Sequence, residues 1–186
     1  ENNRVLRFRG TGGSCPVICP PPLFGATADL VLGQPNFTSG QDNNPALASG
    51  AQRLYRPHAV AVGPNGVGGQ AVIVADTNNH RVLIWDNPTT NGQAADKRLG
   101  QQTFDTPGIQ NQGAIPPNET SNRGMYYPKG VAVDNAGNVY VADTYNHRVL
   151  VFNGPISAFP TLTTKTADRV LGQANFNLRK ENWPFF

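Results

Sequence analysis

Val141-Ala142-Asp143-Thr144-Tyr145-Asn146-His147-Arg148-Val149-Leu150 repeats Val74-Ala75-Asp76-Thr77-Asn78-Asn79-His80-Arg81-Val82-Leu83 after 67 residues. Self-similarity of this kind marks a chain built from repeated supersecondary units, and it takes priority over local propensity in reading the fold. Two further blocks accompany it in fixed order. Arg56-Pro57-His58-Ala59-Val60-Ala61-Val62 precedes the first copy and Tyr127-Pro128-Lys129-Gly130-Val131-Ala132-Val133 precedes the second. Ala95-Asp96-Lys97-Arg98-Leu99-Gly100-Gln101 follows the first and Ala167-Asp168-Arg169-Val170-Leu171-Gly172-Gln173 the second, while Ala28-Asp29-Leu30-Val31-Leu32-Gly33-Gln34 stands ahead of both. Phe37, Phe104 or Phe176 comes three residues after each of these.

The intervening runs are short, rich in β-branched and aromatic residues, and bounded by Gly, Asn, Asp or Pro, which describes strands and not helices. Each unit reads as four strands, a to d, placed in the first complete unit at 58–62, 71–75, 81–85 and 97–101. Gly63-Pro64-Asn65-Gly66 and Asp134-Asn135-Ala136-Gly137-Asn138 join a to b with the residues that tolerate the positive φ of tight hairpins, so neighbours are antiparallel. Strand a alternates Ala59 and Ala61 with Val60 and Val62. A strand that narrow suits the crowded axis of radially stacked sheets, and both faces of each sheet are expected to be covered.

Composition agrees with many turns between short strands. Gly (20) and Pro (16) are plentiful among 186 residues and only 15% are charged, which points away from long amphipathic helices. The net charge of +3 and pI near 9.1 favour an acidic partner only mildly. Apart from Lys97-Arg98 and Arg179-Lys180 the basic residues are scattered singly, unlike a phosphate-tracking surface. No apolar run reaches the roughly 18 to 20 residues of a spanning helix.

Pro-x-Gly-Val-Ala-Val-Asp at 128–134 and Val-Tyr-Val-Ala-Asp-Thr-x-Asn-His-Arg-Val at 139–149 resemble the NHL-repeat family, and the likeness extends over residues 55–176. It implies a β-propeller used mainly for recognition. These units run to about 70 residues where propeller repeats usually take about 40 to 50. The excess lies between c and d (86–95 and 153–167) and between d and a (35–56 and 102–127), with the d-to-a loops expected to share one rim.

Asn2-Asn3-Arg4-Val5-Leu6-Arg7-Phe8 matches Asn79-His80-Arg81-Val82-Leu83-Ile84-Trp85, so the first strands are c and d of an incomplete blade. The expected division is outer strands at 1–34, blades at 55–104 and 127–176, and a C-terminal tail at 177–186, an all-β propeller segment and not a closed ring. Strands at 4–8 and 29–34 are expected to pair with strands this sequence does not encode. Other copies, closing a ring or propagating a filament, or a longer chain would supply them.

Arg56, His58, Tyr127 and Lys129 open strand a, where propeller side chains face the mouth of the central channel, and they differ between blades on a constant frame. They are the candidate ligand-binding residues, for a glycan or a protein ligand. Asp76, Arg81, Asp143 and Arg148 read as structural groups of the b-to-c turn, the buried carboxylates accepting backbone N–H groups and the arginines pairing with a neighbouring carboxylate or with carbonyls. His80 and His147 sit one per blade in that same turn, and their alternative reading is as metal ligands of a metal-dependent lyase or hydrolase propeller. No nucleophile elbow, His-Glu-x-x-His pair or phosphate-cradling loop is present, so a non-enzymatic scaffold without cofactor is expected. An RNA-binding propeller is the third reading. Cys15 and Cys19, in a Pro-rich loop, are expected to form a local disulfide, and Asn36 and Asn118 head glycosylation sequons in the d-to-a insertions. Together these place the chain outside the cytoplasm.

Overall fold

The structure, a computed structural model, describes residues 2–8, 27–41, 50–105 and 120–181. Within them ten strands form three antiparallel sheets, each following chain order. The first has two strands, β1 (Val5–Arg7) and β2 (Leu30–Leu32). The second contains β3 (Ala59–Pro64), β4 (Gln70–Asp76), β5 (Arg81–Asp86) and β6 (Lys97–Leu99). The third contains β7 (Pro128–Val133), β8 (Val139–Asp143), β9 (Arg148–Phe152) and β10 (Arg169–Leu171). This is an all-β, partial propeller with no closed ring.

Register confirms that the repeats are structural equivalents. Val5 faces Leu32, Val82 faces Leu99 and Val149 faces Leu171, so β1, β5 and β9 hold one position and β2, β6 and β10 another. The last strand of each sheet is shorter than its sequence block. Gly33, Gly100 and Gly172 take φ of 84°, 92° and 85° directly after it, a turn that ends pairing and that only glycine makes without strain.

The second sheet is buried between the other two, which explains why β5 is apolar at consecutive positions. Ile73, Val82, Ile84 and Leu99 pack towards Val139, Val141, Leu150 and Phe152 of the third sheet. Val74, Leu83 and Trp85 pack the other way, against Leu30, Leu32 and Leu54. Gly63 permits β3 to approach β7, since a Cβ there would run into the Val133 side chain.

One expectation fails. Val60 and Val62 are 52% and 57% exposed, so among the described residues β3 is covered only on its alanine side. The reason is the two-stranded first sheet: β1 and β2 are equivalents of outer strands, and among the described residues no inner strands stand opposite Val60 and Val62.

The c-to-d insertions have a bracing role. Gly92 donates to the Val31 carbonyl at 3.0 Å and Asn91 accepts from the Val31 N–H at 3.1 Å, tying 86–95 to β2 of the preceding sheet. In the next unit Arg98 of β6 donates to the carbonyls of Thr161 and Leu162. Each insertion thus clasps the outermost strand of the sheet before it.

Candidate functional site

The site rests on a saturated polar frame. Between β4 and β5 the chain makes a 3-10 turn over Thr77–Asn79, ended by His80 at φ 53°, and Thr144–Asn146 with His147 repeats it. The carboxylates before these turns are fully buried but cap none of the turn N–H groups. Asp76 accepts instead from the Tyr55 N–H at 2.6 Å, the Asn79 amide at 2.8 Å and Arg81 Nε at 2.7 Å. Asp143 repeats the set with Tyr126 at 2.7 Å, Asn146 at 2.8 Å and Arg148 at 2.7 Å. The repeat's Asp and Arg thereby tie the turn to the segment entering strand a. Arg81 donates onward to the carbonyls of Phe104, Gly50 and Arg53, and Arg148 to those of Phe176, Ser121 and Gly124. Burial raises the pKa of both carboxylates, against the lowering effect of the guanidinium, the N–H and the amide.

Two left-handed residues, His80 and Asn3, latch onto the segment that enters the next strand a. His80 Nδ1 accepts from the Tyr127 N–H at 3.1 Å, and Asn3 Oδ1 accepts from the Arg56 N–H at 2.8 Å. Arg56 and Tyr127 themselves adopt φ of 49° and 47°. This aims the following residues, His58 and Lys129, at a common space. His80 is only 6% exposed, and burial lowers its pKa to about 4. Its imidazole is therefore neutral at pH 7, with the Nδ1 lone pair committed to the latch. His147 instead lies 3.4 Å from the Glu181 carboxylate. Among the described residues no three His, Cys, Asp or Glu side chains converge as metal ligands would.

Above these latches an open cavity of about 520 Å³ brings together Arg56, His58, Tyr127 and Lys129. Arg4 and Tyr145 complete its chemically distinctive wall, and among the described residues no carboxylate lines it. The Lys129 ammonium stands 5.4 Å from the centre of the Tyr145 ring, itself 5.0 Å from that of Tyr127. Cations beside rings, with a supply of amides and no negative charge among the described residues, suit an anionic ligand that also presents a flat or apolar face. Sequence reasoning missed Tyr145, although the signal was there: it replaces Asn78 at a position where the repeats otherwise agree.

The remaining sequence candidates stand apart from this cavity. Asn36 is exposed, its side-chain oxygen accepting from the N–H groups of Thr38 at 3.0 Å and Ser39 at 2.8 Å. Cys15, Cys19 and Asn118 lie outside the described residues.

The sequence profile of the NHL repeat matches residues 54–85 and, again, 125–152. These spans contain the Asp, Asn, His and Arg of both saturated turns. The chain carries NHL repeats. No curated protein matches the chain. NHL repeats build β-propeller scaffolds for protein interaction that are generally non-catalytic. In this NHL-repeat chain both matches bring a strand a to the rim of one cavity. No helix among the described residues is long and apolar enough to cross a membrane.

Proposed function

We propose that this NHL-repeat chain is a non-enzymatic, extracytoplasmic recognition and assembly scaffold that reads an acidic ligand, glycan or peptide, at the cavity shared by β3 and β7. The cavity itself carries the reading: the turn residues common to both repeats are consumed by the frame, while those that differ, His58 with Lys129 and Asn78 with Tyr145, line it. Variable side chains on a fixed support are how a propeller rim acquires specificity. Arrays of neutral, carboxylated and sulfated oligosaccharides and of acidic peptides test it. Lys129→Ala is expected to weaken the retained acidic ligand about five- to tenfold, the value of roughly 1 kcal/mol of exposed charge and ring contact, with an unchanged melting temperature. Equal retention by the variant would count against the site.

The extracytoplasmic part of the proposal rests on the exposed sequon at Asn36, already held in a turn with Thr38 accessible. Enzymatic deglycosylation of the native protein is expected to remove a glycan from Asn36, read as a mass loss on the peptide containing it. An unmodified peptide from the native source would remove that support. Assembly is proposed to run through the open edge of β1, where added strands complete the first sheet.

A further inference from the structure

The open edge of β1 carries an unfinished third copy of the buried ion pair. Asn3, at φ 43°, stands where His80 and His147 stand at 53°, and Arg4 follows it as Arg81 and Arg148 follow them. Gln34 donates to the Asn3 carbonyl as Gln101 and Gln173 donate to those of His80 and His147. Arg4 donates to the Phe37 carbonyl as Arg81 does to Phe104 and Arg148 to Phe176. The difference is at Nε. In Arg81 and Arg148 it meets an aspartate at 2.7 Å, across the pairs Asp76–Arg81 and Asp143–Arg148 that end β4 and β8. Half-buried Arg4 has no carboxylate in ion-pair range among the described residues.

Beside it runs a slot of about 420 Å³, walled by Val5, Leu6 and Leu32 on one side and by Val60, Val62 and Val72 on the other. Its position relative to the first sheet is that of β3 and β4 relative to β5 and β6. We propose that the slot receives a β-hairpin of the β3–β4 kind whose second strand pairs with β1 and ends in an aspartate that closes on Arg4. The hairpin's first strand covers Val60 and Val62. Its second satisfies the free edge of β1 in the register already used twice, alanine opposite Val5 and aspartate opposite Arg4. Charge complementarity selects the occupant. A hairpin without the carboxylate would bury the Arg4 guanidinium unpaired, whereas the aspartate gives a third copy of a pair the fold tolerates at full burial.

This inference rests on the strand-completion reading above, and one experiment separates the two. Residues 57–77 are copied in front of Glu1 of the full chain, which places the copied Asp76 five residues before Arg4, the spacing of Asp76 and Arg81. The grafted chain is expected to melt higher than the original and to exchange its β1 amides at least tenfold more slowly. Changing the copied aspartate to asparagine should remove most of that gain, and in an Arg4→Met background the two grafts should behave alike. Equal protection of β1 by the aspartate and asparagine grafts in the Arg4 chain would overturn the aspartate inference and leave strand completion standing. Failure of both grafts to protect β1 would overturn both.

Discussion

Asp143→Ala is expected to lower the unfolding free energy by about 3 to 5 kcal/mol, most of the margin of an ordinary domain. A turn carboxylate capping N–H groups would put the loss at about 1 to 3 kcal/mol. The observed partners raise it. Asp143 and Arg148 are both fully buried and 2.7 Å apart, so truncation leaves a guanidinium in the interior with carbonyls but no countercharge. It also removes the carboxylate to which the Tyr126 N–H and the Asn146 amide donate. Because Tyr126 precedes the mouth residues Tyr127 and Lys129, the variant should also loosen the rim. Chemical denaturation at pH 7 measures the loss. A midpoint within experimental error of the unmodified chain would mean that Arg148 finds its stabilisation elsewhere.

His80→Asn is expected to remove about 3 kcal/mol of pH-dependent stability while leaving stability at pH 7 nearly unchanged. In the folded chain the imidazole titrates near 4, below its ordinary 6.5, because burial disfavours the cation. The unfolded chain therefore binds more protons between those values. The His80 contribution is fully present above about pH 6.5 and is lost as the pH falls towards 4. Protonation would also put a proton on Nδ1, which now accepts from the Tyr127 N–H. Asparagine keeps the latch without titrating, as Asn3 shows at φ 43° with its oxygen 2.8 Å from the Arg56 nitrogen. Urea unfolding of both proteins at pH 7 and pH 4.5 gives the comparison, with groups common to both cancelling. Identical slopes would show that His80 titrates normally.

The four mouth residues Arg56, His58, Tyr127 and Lys129 were legible because repetition exposes them: on a frame that returns unchanged, a side chain that changes stands out. Tyr145 obeys the same rule, one turn further on. Arg4 was legible only as the aligned partner of Arg81; that it lines the cavity follows from β1 lying beside β3. The exposed Val60 and Val62 were misread, since alternation along a strand tells which residues share a face but not whether anything stands opposite it. Asp76 and Asp143 were placed at the right turn as N–H acceptors, but that the N–H groups are those of Tyr55 and Tyr126, in the segment entering strand a, was not legible.

Sequence by itself determined the number and order of strands, their antiparallel pairing and the equivalence of the units, because repeated apolar blocks and Asn- and Gly-bearing turns act over a few neighbouring residues. Tertiary structure alone decided that Arg81 reaches the Phe104 carbonyl 23 residues on, that His80 serves the Tyr127 N–H 47 residues on as a neutral acceptor, and that one face of β3 stays open. Burial and long-range hydrogen bonding belong to the assembled neighbours of a residue, and no local pattern carries them.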